Sequence, residues 1–269
     1  MQIIILFKFK YSGTTGHPKA SVIKHLRFYT AAMGFSEIFK IGKQDRVYCC
    51  LPLYHSAGGI IGTGFTVYSG STLIFRKKFS ASNFWKDISE YECTIFQYIG
   101  ELCRYLLSQP ESKYDTSHKV RLAIGNGMRP DVWQNFQKRF QIKQIGEFYG
   151  ATEGNCNMVN TRGKFAAVGY ISPLIAPIFP IKLVRFDIDK EEPIRGKDGF
   201  CIPCKIGEVG ELLGYIDPAD PSRHFDVCFF FFSSLSSHLF YCYIYSFFLG
   251  CFSAFSIIRI LLGNRFIRI

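Results

Sequence analysis

Two hydrophobic periods alternate along the first 226 residues. Runs of strand length, Ile3–Phe9, Arg46–Leu51, Ser71–Phe75, Cys93–Tyr98, Val120–Ile124 and Gln144–Tyr149, are separated by stretches where apolar residues return every three or four positions. The second period predicts helices over Lys24–Phe39 and over the glycine-rich, apolar Ala57–Tyr68. It predicts further helices from a serine cap at Ser80 or Ser82 through Tyr91, over Glu101–Ser108, and over Pro130–Phe140, with proline in its first turn. Strand–helix alternation means βαβ units and a parallel sheet, hence an α/β fold. Beyond Gly150 the pattern becomes short strands spaced by Gly and Pro, Val168–Ile171, Ile181–Arg185 and Gly210–Tyr215, which predicts a short antiparallel β segment. The charged stretch Asp187–Asp198 reads as an exposed hairpin or loop.

After Asp226 the chain changes character. From Val227 to Ile258 there is no Asp, Glu, Lys or Arg, and Val227–Ile269 holds 10 of the 28 phenylalanines. By length and hydropathy this apolar tail predicts a transmembrane helix over Leu239–Leu262, with the arginines at its C-terminal end favouring that end toward the cytoplasm. Its richness in Phe, Ser, Cys and Tyr also fits translated T-rich noncoding sequence. Val227-Cys228-Phe229-Phe230 can be encoded as a splice donor followed by a T tract, so read-through of an intron is the other reading. The expected organisation is therefore 1–226 as one unit and 227–269 as the tail.

Formal net charge is +11, of which residues 1–226 carry +8. The densest basic run is Arg76-Lys77-Lys78, too short for a nucleic-acid arm, so the excess points to anionic small ligands or a membrane surface rather than nucleic acid. Ten scattered cysteines and the absence of an Asn-x-Ser/Thr sequon fit free thiols in a reducing compartment. Cys201-Ile202-Pro203-Cys204 lacks a second pair at zinc-site spacing and reads as two structural thiols.

The segment Ser12-Gly13-Thr14-Thr15-Gly16-His17-Pro18-Lys19 offers hydroxyls, glycine-permitted backbone N–H groups and a cation, a set suited to phosphate. Its spacing is not that of a Walker A loop. In open parallel sheets ligands sit beyond the carboxyl ends of the strands. The segments expected there are Ser12–Lys19, Pro52–Gly59, Gly125-Asn126-Gly127 and Tyr149-Gly150-Ala151-Thr152-Glu153, which together make a nucleotide-sized site.

Ser12–Gly16 with Pro18-Lys19, followed by Tyr149–Glu153, resembles the adenylate-forming (AMP-binding) superfamily. Leu51–Gly58, Arg76–Ser82, Gln97–Leu107 and Gly125–Gly127 narrow the resemblance to the fatty acid transport protein and very long-chain acyl-CoA synthetase family, over about Tyr11–Asp226. The resemblance implies a partial acyl-CoA synthetase large domain that uses ATP, Mg²⁺ and coenzyme A to convert a long-chain fatty acid to its CoA thioester. Lys19, His55, Thr152 and Glu153 are then the catalytic set. Ser12, Gly13, Thr14, Thr15, Gly16 and Lys19 hold phosphates, Thr152 contacts the α-phosphate, and Glu153 ligates the metal. Gly125, Asn126, Gly127, Tyr149 and Gly150 border the nucleotide, and His55 lies near the acyl carboxylate. Tyr98–Leu107 lines an acyl tunnel or is ordinary core. Membrane association at the endoplasmic reticulum or plasma membrane, with the catalytic part cytoplasmic, is implied as well.

Tyr11 stands where the family usually has Thr. The family's later Thr-Gly-Asp and Arg motifs and its small C-terminal domain with the adenylating lysine have no counterpart. Little ATP–pyrophosphate exchange is expected from this chain by itself. The alternative to a ligase fragment is an inactive, membrane-associated isoform or gene-model fragment with residual nucleotide or lipid binding.

Overall fold

The computed structural model describes residues 5–11, 19–152, 154–172, 174, 180–217, 219, 260–263 and 266–268, with backbone alone for 5–11, 19–22, 260–263 and 266–268. The chain opens with an antiparallel pair, β1 (Ile5–Tyr11) and β2 (Lys19–Lys24), in which Tyr11 lies opposite Lys19. The sequence pattern assigns no element between the Ser12–Lys19 loop and the helix expected from Lys24. The β-branched Val22 and Ile23 instead extend this segment as a strand before α1 (His25–Phe39) begins.

The centre is a six-stranded sheet. Its strands are β3 (Arg46–Cys49), β4 (Thr72–Phe75), β5 (Ile95–Ile99), β6 (Leu122–Asn126), β7 (Ile145–Tyr149) and β8 (Met158–Val159), in the spatial order β4-β3-β5-β6-β7-β8. Five strands run parallel, and β8 pairs antiparallel with β7. Alternating side chains serve opposite faces. Val47, Ile95, Leu122 and Ile124 join Phe39 and Phe65 on one face. Tyr48, Phe96, Ala123 and Ile145 join the aromatic core on the other.

That second face is covered by α3 (Ala81–Glu90), α4 (Gly100–Leu107) and α5 (Pro130–Phe140). Trp85 stacks near Phe140 (centroids 4.4 Å apart) and His118 (4.9 Å), while Phe84, Phe96 and Phe136 meet it or one another at close range. The first face is covered by α1, by α2 (Thr63–Ser69) and by a single π-helical turn over Ala57–Gly62 that runs into α2. The sequence predicted one continuous helix there. The turn is wider because its glycines press against neighbours: a Cβ on Gly58 would lie 2.6 Å from the Pro52 carbonyl oxygen, and one on Gly62 would lie 2.5 Å from Gln97 Oε1. Gln97 Nε2 donates to the Ala57 carbonyl at 2.8 Å and ties the turn to β5.

The amino ends of the strands are closed by charge. Asp45, just before β3, accepts from Arg121 Nε at 2.9 Å and Nη2 at 2.8 Å and from the Thr94 hydroxyl at 2.7 Å. Arg121 also donates to the Phe39 and Lys40 carbonyls. Burial works against the Asp45 charge, yet the Arg121, Gly42 and Thr94 donors hold its pKa below the usual value.

A second sheet follows, as expected, in antiparallel form. Its strands are β9 (Ala167–Tyr170), β10 (Ile181–Asp187), β11 (Glu192–Pro193), β12 (Val209–Gly214), β13 (Ile260–Gly263) and β14 (Phe266–Arg268), in the order β11-β10-β12-β13-β14-β9. β10 and β11 form the hairpin expected within Asp187–Asp198. Of the expected helix over Leu239–Leu262, residues 239–259 lie outside the described residues. Its last three, Ile260–Leu262, are not helical but belong to β13, which pairs with the edge of β12. Among the described residues no helix is long and apolar enough to cross a membrane.

Candidate functional site

The carboxyl end of β7 carries the site. Tyr149 ends that strand, and Tyr149 with Gly150–Thr152 after it lines a cavity of about 290 Å³. The walls are apolar: Leu26, Ala31, Phe35 and Ile38 from α1, Ile60 and Ile61 from the π-helical turn, and Phe148, Met158 and Val159 from β7 and β8. Lys24, Arg27, Thr30, Ser56, Thr152 and Asn157 add polar groups to its lining. Gly34 of α1 also lines the cavity, and a Cβ there would meet nothing within 4 Å.

Thr152 is fixed from two sides. Its hydroxyl lies 2.9 Å from Ser56 Oγ, and its carbonyl accepts from Arg27 Nη1 at 2.7 Å. Ser56 immediately precedes the π-helical turn, so the turn sets where this hydroxyl stands. His55 is its neighbour. The Ala57 N–H donates to His55 Nδ1 at 3.2 Å, which leaves Nε2 as the protonated nitrogen of a neutral ring. Although the residue as a whole is exposed, its imidazole is partly desolvated, and this lowers its pKa.

One strand over, β6 ends at Asn126, and Gly127 takes a left-handed conformation (φ +76°). The backbone there is tightly held. A Cβ on Gly125 would lie 2.2 Å from the Tyr98 carbonyl oxygen, and one on Gly100 would lie 1.6 Å from the Gly127 carbonyl oxygen. Underneath sits Glu147 of β7, almost fully buried. It accepts from the Met128 N–H at 3.1 Å through Oε1 and bonds the Tyr98 hydroxyl through Oε2. Burial pushes its carboxyl up to about 8, against the opposing pull of its Tyr98, Met128 and Gly127 hydrogen bonds.

The structure thus brings Tyr149, Gly150 and Thr152 to one cavity, with His55 beside them through Ser56. Gly125, Asn126 and Gly127 end the neighbouring strand without lining that cavity. Ser12, Gly13, Thr14, Thr15, Gly16 and Glu153 lie outside the described residues. The backbone of Lys19 begins β2. Tyr98, Leu102, Cys103 and Leu106 are buried in the aromatic core and do not line the cavity, so of the two readings for Tyr98–Leu107 the packing matches core. Arg27 and Glu147 were given no role from the sequence. Arg27 looks like any helical arginine until α1 is placed against Thr152. Glu147 did carry a signal, an acid inside the apolar strand Ile145–Tyr149.

The buried thiols of Cys49, Cys50, Cys93 and Cys103 are free, and burial raises the pKa of each, so they act as packing groups. Cys201 and Cys204 are also free.

The sequence pattern of the family described as AMP-binding enzyme matches residues 12–213. The chain belongs to that family. AMP-binding relatives include long-chain fatty acid transport protein 1 of Mus musculus, 50% identical over 221 residues, which are 82% of this chain and 34% of that protein. Long-chain fatty acid transport protein 3 of Homo sapiens is 45% identical over 210 residues, 78% of this chain and 31% of that protein. The chain therefore spans about a third of the length of these relatives. Among solved AMP-binding folds, ATP-bound MatB from Rhodopseudomonas palustris superposes with a TM-score of 0.60 at 21% identity, over 78% of this chain and 39% of that one. The N-terminal domain of FACL13 from Mycobacterium tuberculosis gives 0.58 at 23% identity, over 77% and 49%. These likenesses support the fold.

Proposed function

We propose that this chain carries the carboxylate- and nucleotide-binding part of an ATP-dependent long-chain fatty acid–CoA ligase. The observation that carries the reading is the cavity lined by Thr152, whose lining joins a large apolar part to a few polar groups that include Lys24 and Arg27. A fatty acid has the matching form: an alkyl chain for the apolar walls and one carboxylate for the polar groups. The fatty acid transport protein relatives favour that substrate class.

ATP would lie beside the cavity, its adenine along Gly125–Gly127 and Tyr149, and its phosphates toward Thr152, Lys19 and Ser12–Gly16. Mg²⁺ would accompany the phosphates. The hydroxyls of Ser56 and Thr152, 2.9 Å apart, are the kind of hard oxygen donor it takes, with Glu153 as the carboxylate. Its contribution would be to offset charge on the leaving pyrophosphate. A carboxylate oxygen of the fatty acid forms a bond to the α-phosphorus as the bond to the β-phosphate oxygen breaks, releasing pyrophosphate. The thiol sulfur of coenzyme A then bonds the acyl carbon, AMP leaves, and the thiol proton passes to solvent. In the first step His55 Nε2–H and Lys19 would stabilise developing oxyanion charge. Association with a membrane would bring acyl substrate to the cavity.

The test is Gly34→Leu. A Cβ at this cavity-lining position meets nothing within 4 Å, and the change exchanges the poorest helix former but proline for one of the best. Palmitate binding to the 269-residue chain should weaken at least about tenfold, a loss of 1.4 kcal/mol, with ATP binding and thermal stability kept. Unchanged palmitate affinity in the folded variant would sink the assignment of this cavity.

A further inference from the structure

The acid beneath the nucleotide-bordering segment has no part in the chemistry just described. Tyr98, Gly125 and Glu147 form one row across β5, β6 and β7, in register, on the face that bears α4 and α5. Gly125 has no side chain because the Tyr98 backbone and ring occupy that space. The Tyr98 hydroxyl therefore passes over β6 and reaches Glu147 on the far side. The other carboxyl oxygen accepts from Met128 N–H, the first amide beyond Gly127. From above, the Gly127 carbonyl is pressed onto Gly100 at the start of α4. The bend at Gly125–Met128 is thus held on one side by backbone contact and on the other by a single buried carboxyl.

We infer that Glu147 is a positioning residue for the nucleotide: its bonds to Met128 N–H and Tyr98 Oη hold Gly125–Gly127 in the shape that receives the adenine end of ATP. The inference rests on the nucleotide reading of that segment. Burial of Glu147 without a cationic hydrogen-bond partner agrees with a neutral carboxyl, which can accept from Met128 N–H and share its proton with Tyr98. A glutamine can reproduce both bonds, whereas alanine leaves the Met128 N–H and the Tyr98 hydroxyl unpartnered in the core.

The experiment compares Glu147→Gln and Glu147→Ala in the 269-residue chain by ATP titration, palmitate titration and hydrogen exchange at the Met128 amide. Palmitate serves as internal control, because its cavity lies on the α1 face of the sheet. The alanine variant should bind ATP about tenfold more weakly or worse, the factor that 1.4 kcal/mol carries, and should exchange Met128 faster at unchanged palmitate affinity. The glutamine variant should stay within about threefold of the parent for ATP, under 0.7 kcal/mol, and keep the amide protected. Loss of both affinities together in the alanine variant would show a general structural fault and overturn the inference. So would an alanine variant that binds ATP like the parent, or a glutamine variant no better than alanine. A parent chain that binds palmitate but no ATP would overturn the nucleotide reading itself, and Met128 exchange would still report whether the carboxyl holds the bend.

Discussion

The two ends of the parallel sheet each bury a carboxylate, and they treat it in opposite ways. At the amino end Asp45 is clasped by Arg121, Thr94 and the Gly42 amide, and the charge is kept. At the carboxyl end Glu147 meets a tyrosine hydroxyl and backbone N–H groups, and burial favours its neutral form. The amino end is closed, whereas the carboxyl end has a cavity, a left-handed glycine and backbone packed against backbone. A closed end can use full charge compensation. The end that carries the cavity holds its backbone with glycines and one acid whose neutral form burial favours.

The hardest test of this contrast is Arg121→Leu. It removes the cation from the buried Asp45 carboxylate, which keeps its Thr94 and Gly42 donors; with the Arg121 side chain 36% exposed, the cost falls below the roughly 3–5 kcal/mol of a fully buried pair. Urea unfolding should show most of that loss, while palmitate affinity in the folded fraction should not change.

The next effect is on the pH dependence of stability, and its sign differs between the two ends. The lowered Asp45 pKa means that its contribution is present above its unfolded value near 3.8 and fades as pH falls below it. Glu147 is displaced the other way, from 4.5 to about 8, so the folded state binds the extra proton between those values. Its contribution is complete below pH 4.5 and is lost as pH rises toward 8, at up to about 1.4 kcal/mol per pH unit. Tyr98 from β5 and Cys103 from α4 face it, and both are held neutral by pKa values raised through burial. Glu147→Gln should flatten that slope between pH 5 and 8 in denaturation midpoints. A slope that survives the substitution belongs to another group.

The smallest effect is at the cavity. Ser56→Ala removes one hydroxyl from a partly buried pair with Thr152, worth about 0.5–1.5 kcal/mol. Folding stability should move by no more than that. ATP affinity should fall if this pair places Thr152 for the α-phosphate, and titration of the variant decides it.

Much of the fold is legible because the two faces of each strand are filled independently, so Val47 against Tyr48 and Ile95 against Phe96 mark strands whatever packs on them. Pro130–Phe140 is bounded in the sequence by the proline that starts it, and the helix has those limits in the structure. What escaped depends on distant partners. The strand Lys19–Lys24 exists by pairing with β1, and the short run Ile260–Gly263 by pairing with β12. The π-helical turn exists because Gly58 and Gly62 approach Pro52 and Gln97. At the site, Tyr149, Gly150, Thr152 and His55 could be named from motifs. Arg27 and Glu147 could not, since their roles lie in contacts spanning 125 and 49 residues of chain.

The π-helical turn can also be seen as a spare residue. A π turn holds one more residue than the α turn it replaces, so removing one glycine from Ala57–Gly62 would let α-helix run unbroken into Thr63–Ser69. Each residue of an α-helix turns by roughly 100°. Were the extra residue kept and wound as ordinary α-helix instead, Ser56 and His55 would stand about a quarter turn around the helix axis, away from Thr152. The widened turn therefore acts like a skipped tooth on a gear, taking up one residue so that Ser56 stays beside Thr152.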